Sequence, residues 1–354
     1  MKIRPLPSNL PQSIVAFADA GTPFALAVVL NATGSTPRKP GTKALIDESG
    51  SIWGTIGGGR LESDARRLAV DSLGTREPVL MDFLFHGKDA AKDEPVCGGN
   101  MRILIDPTTS AHRDVYQRAA DALHRRERAL LLTTIQVRKL CTSDVALFHP
   151  DHLPADLHPA LAAAIPDCVR SEEPALVEYR AADDAFTQTL IEPLLPQPLL
   201  VIVGGGHVGQ ALAEQAHLVG FAVTVLEDRP EFIAPTRFPQ GVTLHHGDVA
   251  DGIRRLPMNR DAYVALVSRG HLVDGKALAA CIHSQVAYIG MMGSRRKIAL
   301  LRKQFLDERI CTAEEFDRVH APIGLDVGAQ TVPEIAASIV AQLIAARRKP
   351  ARPS

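Results

Sequence analysis

The segment 199–209 reads LLVIVGGGHVG, and it decides the fold of the C-terminal half. Five apolar residues predict a buried strand, and Gly204, Gly206 and Gly209 then form the pattern G-x-G-x-x-G at the start of a helix. The first glycine permits a tight turn, the second lets the backbone approach a phosphate, and the third lets the helix pack closely on the strand. The segment predicts a Rossmann-type domain with an anion site at a helix N-terminus, where His207 lies.

Strand and helix patterns alternate after this segment, which is typical of a parallel sheet covered by helices on both faces. The next strand, 222–226, is followed by Glu227 and Asp228, nineteen positions after Gly209. These carboxylates are candidates for holding ribose or other hydroxyls, whereas Arg229 beside them would favour a second phosphate. The residues leave the choice between these ligands open.

Two later loops follow predicted strands of the same sheet. Because ligands collect at the carboxyl edge of an open α/β sheet, both loops are expected to face one crevice. Their candidate residues are Ser268, Arg269, His271, Gly293, Ser294 and Arg295. His271 is interpreted either as a general acid or base or as a structural hydrogen-bond partner of nearby Asp274.

The N-terminal half carries a second glycine run, Gly57, Gly58 and Gly59, followed by Arg60. It lies between a predicted hairpin, 44–56, and a predicted helix, 61–73, so its amides and Arg60 form a candidate anion site. A tight structural turn is the alternative. The region 111–189 mixes a helix with short strands and shows no readable motif.

Cys97 stands out among five scattered cysteines because Gly98 and Gly99 follow it in a predicted turn. Neighbouring amides can stabilise a thiolate there, and a thiolate suits a soft metal or a sulfur-transfer step. A small buried side chain at a strand entrance is the alternative. The other cysteines form no C-x-x-C pair, and we expect free thiols.

Length and composition set the remaining expectations. A chain of 354 residues predicts two domains, and three prolines in 193–198 predict a linker between residues 1–192 and 199–354. A net charge of −1 argues against a nucleic-acid binder. The chain shows neither a signal peptide nor a membrane-length apolar stretch, so we expect a cytoplasmic protein that does not bind membranes.

The motifs in their order resemble the xanthine dehydrogenase accessory protein family, also named XdhC/CoxI. The similarity covers both halves, from about Phe24 to Ile344. It rests on the segments GGGRLE (57–62), CGG (97–99), GGGHVG (204–209), DRP (228–230), SRGH (268–271), GMMGSR (290–295) and PIGLDVGA (322–329). The resemblance implies an α+β N-terminal domain of the XdhC/CoxI type before the Rossmann-like domain.

The resemblance also implies a function in enzyme maturation and purine catabolism. Members of this family are dimers that bind the molybdenum cofactor (molybdopterin), protect it while sulfide replaces an oxo ligand, and insert it into xanthine dehydrogenase. The implied partners are the molybdenum-binding subunit of that enzyme and a cysteine desulfurase. Cys97 is then a possible molybdenum contact or sulfur relay, with the cofactor expected between the domains, and a nucleotide is possible at the Rossmann site.

Two rival functions fit the residues. The first is an NAD(P)-dependent oxidoreductase that uses the Rossmann crevice with His271 as acid or base, although no second catalytic group accompanies His271. The second is a regulatory or scaffold protein whose Rossmann domain senses a nucleotide. Titration with NAD or NADP and identification of copurified small molecules distinguish these functions from a cofactor chaperone, which is not expected to be a catalyst.

Overall fold

The structure is a computed structural model that describes residues 9–85, 98–181 and 185–348. The chain forms two compact units, residues 1–195 and 196–354. The predicted combination of an α+β N-terminal domain with a C-terminal Rossmann-like domain is confirmed.

The described part of the N-terminal unit contains two antiparallel sheets and four α-helices. A five-stranded sheet has the order β3-β2-β1-β5-β4, and a four-stranded sheet has the order β7-β6-β9-β8. Its elements are α1 (Leu10–Asp19), β1 (Phe24–Gly34), β2 (Lys43–Asp47), β3 (Ile52–Gly54), α2 (Gly59–Thr75), β4 (Val79–Phe85), β5 (Gly99–Asp106), α3 (Arg113–His124), β6 (Ala129–Val137), β7 (Cys141–Phe148), α4 (Pro159–Ser171), β8 (Ala175–Arg180) and β9 (Phe186–Leu194).

Strand β1 is buried on both faces because it lies between two layers. Ala25, Ala27 and Val29 pack with α2, whereas Leu26 and Val28 pack with α1, α3 and the four-stranded sheet. This alternation is the period of two expected of a strand. Helix α4 covers the other face of the four-stranded sheet. The region without a readable motif therefore builds a complete second sheet.

The proline-rich segment is shorter than the predicted linker. Strand β9 continues through Pro193 and Leu194, which pair with β6. Proline is tolerated at this position because β8 ends its pairing opposite Ile191, so no strand on that side needs the missing N–H. Only residues 195–198 lie between β9 and the next strand.

The C-terminal unit is a six-stranded parallel sheet of the order β12-β11-β10-β13-β14-β15. Numbered within the unit, this order is 3-2-1-4-5-6, the order of dinucleotide-binding Rossmann folds. Its elements are β10 (Leu199–Val203), α5 (His207–Leu218), β11 (Ala222–Glu227), β12 (Thr243–His246), α6 (Val249–Arg254), β13 (Ala262–Leu266), α7 (His271–Cys281), β14 (Tyr288–Met291), α8 (Arg295–Asp307), α9 (Ala313–Asp317), β15 (Val319–His320) and α10 (Val332–Arg348).

Apolar clusters lie on both faces of this sheet. Val201 and Val264 pack toward α6, α7 and α8 on one face, whereas Leu200 and Ile202 pack toward α5 and α10 on the other. The strands therefore read as continuous apolar runs rather than alternating ones. None of the described helices is long and apolar enough to cross a membrane.

Candidate functional site

The glycine loop after β10 has the geometry that its sequence pattern predicts. Gly204 has a φ of +111°, and a Cβ added to it would lie 2.8 Å from the Cα of Ser268. A Cβ on Gly209 would lie 1.8 Å from the carbonyl oxygen of Gly204, so α5 approaches the loop more closely than any side chain allows. A Cβ on Gly206 would meet no atom within 4 Å, so the loop is open at that position.

Glu227, at the end of β11, stabilises this loop by a hydrogen bond. Its Oε2 accepts a hydrogen bond of 2.7 Å from the amide of Gly205, and the Arg229 side chain donates to both carboxylate oxygens at 2.9 and 3.1 Å. Burial acts to raise the pKa of Glu227, but hydrogen bonds from Arg229, Asp228 and backbone amides outweigh it and lower the pKa to about 2. Glu227 is thus an internal support of the loop.

The contacts of Glu227 determine whether its neighbours Asp228 and Arg229 can contact a ligand. The Arg229 guanidinium stacks over Phe232 at 4.2 Å and is paired with Glu227, so it is already engaged. Asp228 is half-exposed, and its hydrogen bond with Glu227 raises its pKa. Of the two acids, Asp228 is therefore the one with surface left for a ligand hydroxyl.

The loop after β13 is also held by an internal carboxylate. The Ser268 hydroxyl donates a hydrogen bond of 2.7 Å to Asp274, which is buried. Arg269 is exposed. The backbone of His271 begins α7, and its side chain lies outside what the structure describes. Asp274 therefore has a partner in Ser268, a pairing that the sequence did not predict.

The third loop connects β14 with α8 at the same edge of the sheet. The amide of Met292 donates to the carbonyl oxygen of Leu266, which ties this loop to the end of β13. Ser294 caps α8 by accepting a 3.4 Å hydrogen bond from the amide of Lys297, and Arg295 is exposed. The candidate residues of the C-terminal unit thus follow the carboxyl ends of adjacent parallel strands.

In the N-terminal unit, the run Gly57–Gly59 surrounds a buried carboxylate. Oε1 of Glu62 accepts hydrogen bonds from the Thr55 hydroxyl at 2.6 Å and from the amides of Ile56 and Gly58 at 3.1 and 3.0 Å. All three glycines have positive φ, which glycine alone adopts at little cost. Some amides of the predicted anion site are therefore already bound to Glu62, a residue that the sequence reasoning did not single out.

Close backbone contacts bring the N-terminal motifs together. A Cβ on Gly99 would lie 2.6 Å from the carbonyl oxygen of Ser35, and one on Gly57 would lie 2.7 Å from Cγ of Pro37. The Ser35 amide also donates to the carbonyl oxygen of Gly98 at 3.3 Å. The glycines after position 97 and the glycine run thus pack against one loop, residues 35–37. Cys97 itself lies outside the described residues.

Arg60 lies at the start of α2 with most of its side chain exposed. Its Nε is 3.7 Å from the Asp64 carboxylate, which is a loose ion pair at a surface. It is therefore available for an anion in solution. Within the described ranges, no cluster of His, Cys, Asp and Glu is suited to hold a metal ion.

None of the four described cysteines has a pKa lowered toward the thiolate form. Burial raises the pKa of Cys141, Cys168 and Cys311, and it raises that of Cys281 to about 12. Because the thiolate is the reactive form, these residues are suited to packing rather than chemistry. Cys97 is the remaining cysteine of the chain.

Comparisons with known proteins fit both units. The model of the XdhC and CoxI family matches residues 17–83, and the model of the XdhC Rossmann domain matches residues 200–343. The uncharacterized protein YqeB of Escherichia coli is 26% identical over 345 residues, which are 94% of this chain and 46% of YqeB. The chain thus spans about half the length of that relative.

Two further proteins match over most of their length. A Bacillus subtilis protein described as a probable subunit of xanthine dehydrogenase is 26% identical over 336 residues, 92% of this chain and 93% of the relative. A crystal structure described as a xanthine dehydrogenase from Bacillus halodurans shares the fold, with a TM-score of 0.73, 24% identity and coverage of 96% and 95%. The family models and the two matching units show that the chain belongs to the XdhC and CoxI family.

Proposed function

We propose that this protein is a xanthine dehydrogenase accessory factor that binds the molybdenum cofactor, holds it during sulfuration and inserts it into the enzyme. Membership of the XdhC and CoxI family and the name of the Bacillus subtilis relative support this proposal. The structural observation that carries it is the packing of Gly99 and Gly57 against residues 35–37. The segment after Cys97 and the glycine run that precedes Arg60 therefore contact the same loop of the N-terminal unit.

The cofactor is the cargo in this proposal, and its terminal phosphate fits the start of α2. First-turn amides of a helix have no intrahelical acceptor and favour an anion. A Cβ added to Gly58 or Gly59 would meet nothing within 4 Å, so a ligand has space at this turn. Arg60 supplies a charge-assisted contact. Glu62 fixes the turn from inside, with its charge offset by three donors.

The proposed role of Cys97 follows from the state of the other thiols. Burial raises the pKa of each of the four described cysteines, so none of them shows the lowered pKa of an activated thiol. Cys97 precedes two glycines in the sequence, where amides can stabilise a thiolate. In the proposal its thiol contacts the molybdenum or relays sulfur from a cysteine desulfurase.

The partners are part of the same proposal. We infer that the protein acts as a homodimer, receives sulfur from a cysteine desulfurase and delivers its cargo to the molybdenum-binding subunit of xanthine dehydrogenase. A nucleotide at the Rossmann loop is compatible with this function, because Gly206 is open and Asp228 is half-exposed.

A loading experiment tests the function. Purified full-length protein is incubated with molybdenum cofactor and separated from free ligand, and bound molybdenum and pterin are then quantified. Activation of apo-xanthine dehydrogenase is measured in parallel. We expect Cys97→Ala to lose retention of sulfurated cofactor and activation, and Cys141→Ala to behave as wild type. Unchanged retention and activation in Cys97→Ala would remove the role of the thiol, and a wild-type protein that binds no cofactor would refute the function.

An NAD(P)-dependent oxidoreductase is the second candidate, and the geometry of the Rossmann loop is the observation that favours it. A dehydrogenase binds NAD or NADP in titration and turns over a substrate with the nicotinamide. A chaperone that only carries a nucleotide binds without turnover. Measuring nicotinamide absorbance with candidate aldehydes and hydroxy acids distinguishes the two functions.

A further inference from the structure

A polar cavity of about 190 Å³ lies within the N-terminal unit, between the five-stranded sheet and β8. None of the motif segments on which the family resemblance rests contains a residue of its lining. Its polar lining consists of Asn31, Thr33, Asp82, Asn100, Arg102 and Glu178.

A β-bulge in β1 aims side chains into this cavity. Up to Leu30, even-numbered residues of β1 face the core between the two sheets, but the register with β5 shifts between Val29 and Asn31. A bulge adds one residue and exchanges the faces of the strand beyond it. Asn31 and Thr33 therefore join the face on which Leu26 packs, and Ala32 packs toward α2.

The register then aligns the polar side chains across three strands. Asn31 lies opposite Arg102 and Arg102 opposite Asp82, whereas Thr33 lies opposite Asn100. Residues directly opposite each other in antiparallel strands share a face. One wall of the cavity thus consists of hydrogen-bond donors and acceptors from three neighbouring strands. They lie at the end of the mainly apolar face of the five-stranded sheet.

The charges of the cavity disfavour an anionic ligand, although Asp82 and Glu178 are each about half exposed to solvent. Arg102 donates to both oxygens of Asp82, at 2.8 and 3.1 Å, and the hydrogen bond to Asp82 raises the pKa of Arg102. Oε1 of Glu178 lies 4.0 Å from the Arg102 guanidinium and accepts a 2.5 Å hydrogen bond from the side-chain amide of Gln188. Two carboxylates beside one guanidinium leave a negative excess, which repels phosphate and favours a ligand that donates hydrogen bonds.

Glu178 has an oxygen left for such a ligand. Gln188 and Arg102 both approach Oε1, and within the described residues Oε2 has no hydrogen-bond partner. Asp82 already uses both of its oxygens on Arg102. Glu178 is therefore the acceptor, and Asn100 and Thr33 are nearby groups that can donate to a ligand carbonyl.

We propose that this cavity binds the 2-amino-4-oxo-pyrimidine edge of a pterin. That edge presents an amino group and a ring N–H side by side, next to a carbonyl that needs a donor. One N–H can donate to Oε2 of Glu178 and the other to Oε1, which among the described residues accepts a hydrogen bond only from Gln188 and keeps a second lone pair. This inference rests on the proposed function and assigns the pterin end of the cargo to Glu178 and Asn100, away from the phosphate end at Arg60.

The cavity lies near the proposed phosphate site, as one ligand with a pterin end and a phosphate end would require. Thr33 precedes Gly34 in the sequence, and Asn100 follows Gly99. The backbones of Gly34 and Gly99 pack against each other. Pro37, which touches Gly57, follows Thr33 by four positions, so the two residues are at most about 14 Å apart. The segment that lines the cavity at Thr33 is therefore the same one that contacts the glycine run at Pro37.

Fluorescence titration of the full-length protein with 6-hydroxymethylpterin tests the inference, because this probe has neither phosphate nor metal. We expect binding that falls at least about tenfold in Glu178→Gln, which loses a charged acceptor. Glu77→Gln, an exposed carboxylate of the same unit outside the cavity lining, is the matched control and should bind as wild type. Lumazine, with a carbonyl in place of the 2-amino group, should bind at least about tenfold more weakly to wild type.

The outcomes separate this inference from the proposed function. If intact molybdenum cofactor binds and Glu178→Gln retains it with unchanged affinity, the pterin lies elsewhere and the inference is wrong, while the function stands. If the pterin probe binds through Glu178 but the cofactor does not, the cavity is a pterin site and the proposed function is wrong. If neither ligand binds wild type, both are wrong.

Discussion

The Cβ that Gly209 lacks would lie 1.8 Å from the carbonyl oxygen of Gly204, so the first turn of α5 rests directly on the loop after β10. We expect Gly209→Ala to destabilise the C-terminal unit by about 2 kcal/mol or more, because the helix must move. Gly206→Ala is the control: its φ of −67° suits alanine and its surroundings are open, so its stability should stay within about 0.5 kcal/mol of wild type. Urea unfolding followed by circular dichroism measures both, and equal losses would contradict the packing role of Gly209.

The Glu227 carboxylate makes the stability of the C-terminal unit dependent on pH. Its folded pKa of about 2 lies below the ordinary value of 4.5, so the stabilisation is complete above pH 4.5 and is lost as the pH falls toward 2. Glu227→Gln should be less stable than wild type at pH 6 and should lose less of its free energy of unfolding between pH 6 and pH 3. Urea unfolding at a series of pH values measures this, and parallel curves for the two proteins would refute it.

Glu62 should be essential for the turn formed by Gly57–Gly59. Glu62→Ala leaves the amides of Ile56 and Gly58 and the Thr55 hydroxyl without their acceptor, and we expect a loss of about 3 kcal/mol. Trp53, the single tryptophan, lies in this unit and reports its unfolding by fluorescence. Glu77→Ala, at an exposed position, is the control, and an equally small effect of both substitutions would contradict the role of Glu62.

Lys43 and Glu192 form a buried ion pair in the same unit, and Oε2 of Glu192 has no hydrogen-bond partner within the described ranges. Lys43→Met leaves that carboxylate uncompensated and should cost about 3 to 5 kcal/mol. The double variant Lys43→Met/Glu192→Met should recover much of this loss because it removes the buried charge. Urea unfolding followed by Trp53 fluorescence tests the pair, and additive losses would show that the two side chains act independently.

Sequence patterns predicted the C-terminal unit well because the features that determine its fold lie within short segments of the chain. Apolar runs, glycine spacing and a short strand-to-helix turn together determine a parallel Rossmann sheet. The function of Glu227 was not predictable in this way, because its acceptor role depends on Gly205, 22 positions earlier. The pattern suggested a ribose ligand for this acid pair, whereas the fold uses one of the two internally.

The N-terminal unit was harder to predict because its strands pair over long distances. Strand β6 pairs with β9 at separations such as Thr134 to Thr189, and nothing in either segment alone identifies its partner. Glu62 stands four positions after Gly58, a spacing that would have suggested an acceptor for the glycine amides. The cavity around Arg102 and Glu178 required knowledge of a bulge, which composition does not reveal.

The β-bulge between Val29 and Asn31 divides β1 into two parts that tolerate different amino-acid substitutions. Up to Val29 each side chain of β1 packs into one of two apolar layers, whereas the side chains of Asn31 and Thr33 face the polar cavity. Relatives can therefore exchange these two residues and so alter ligand preference without repacking the interior. Deleting one residue at the bulge would instead turn both polar side chains toward α2, so insertions and deletions here should be far rarer than substitutions.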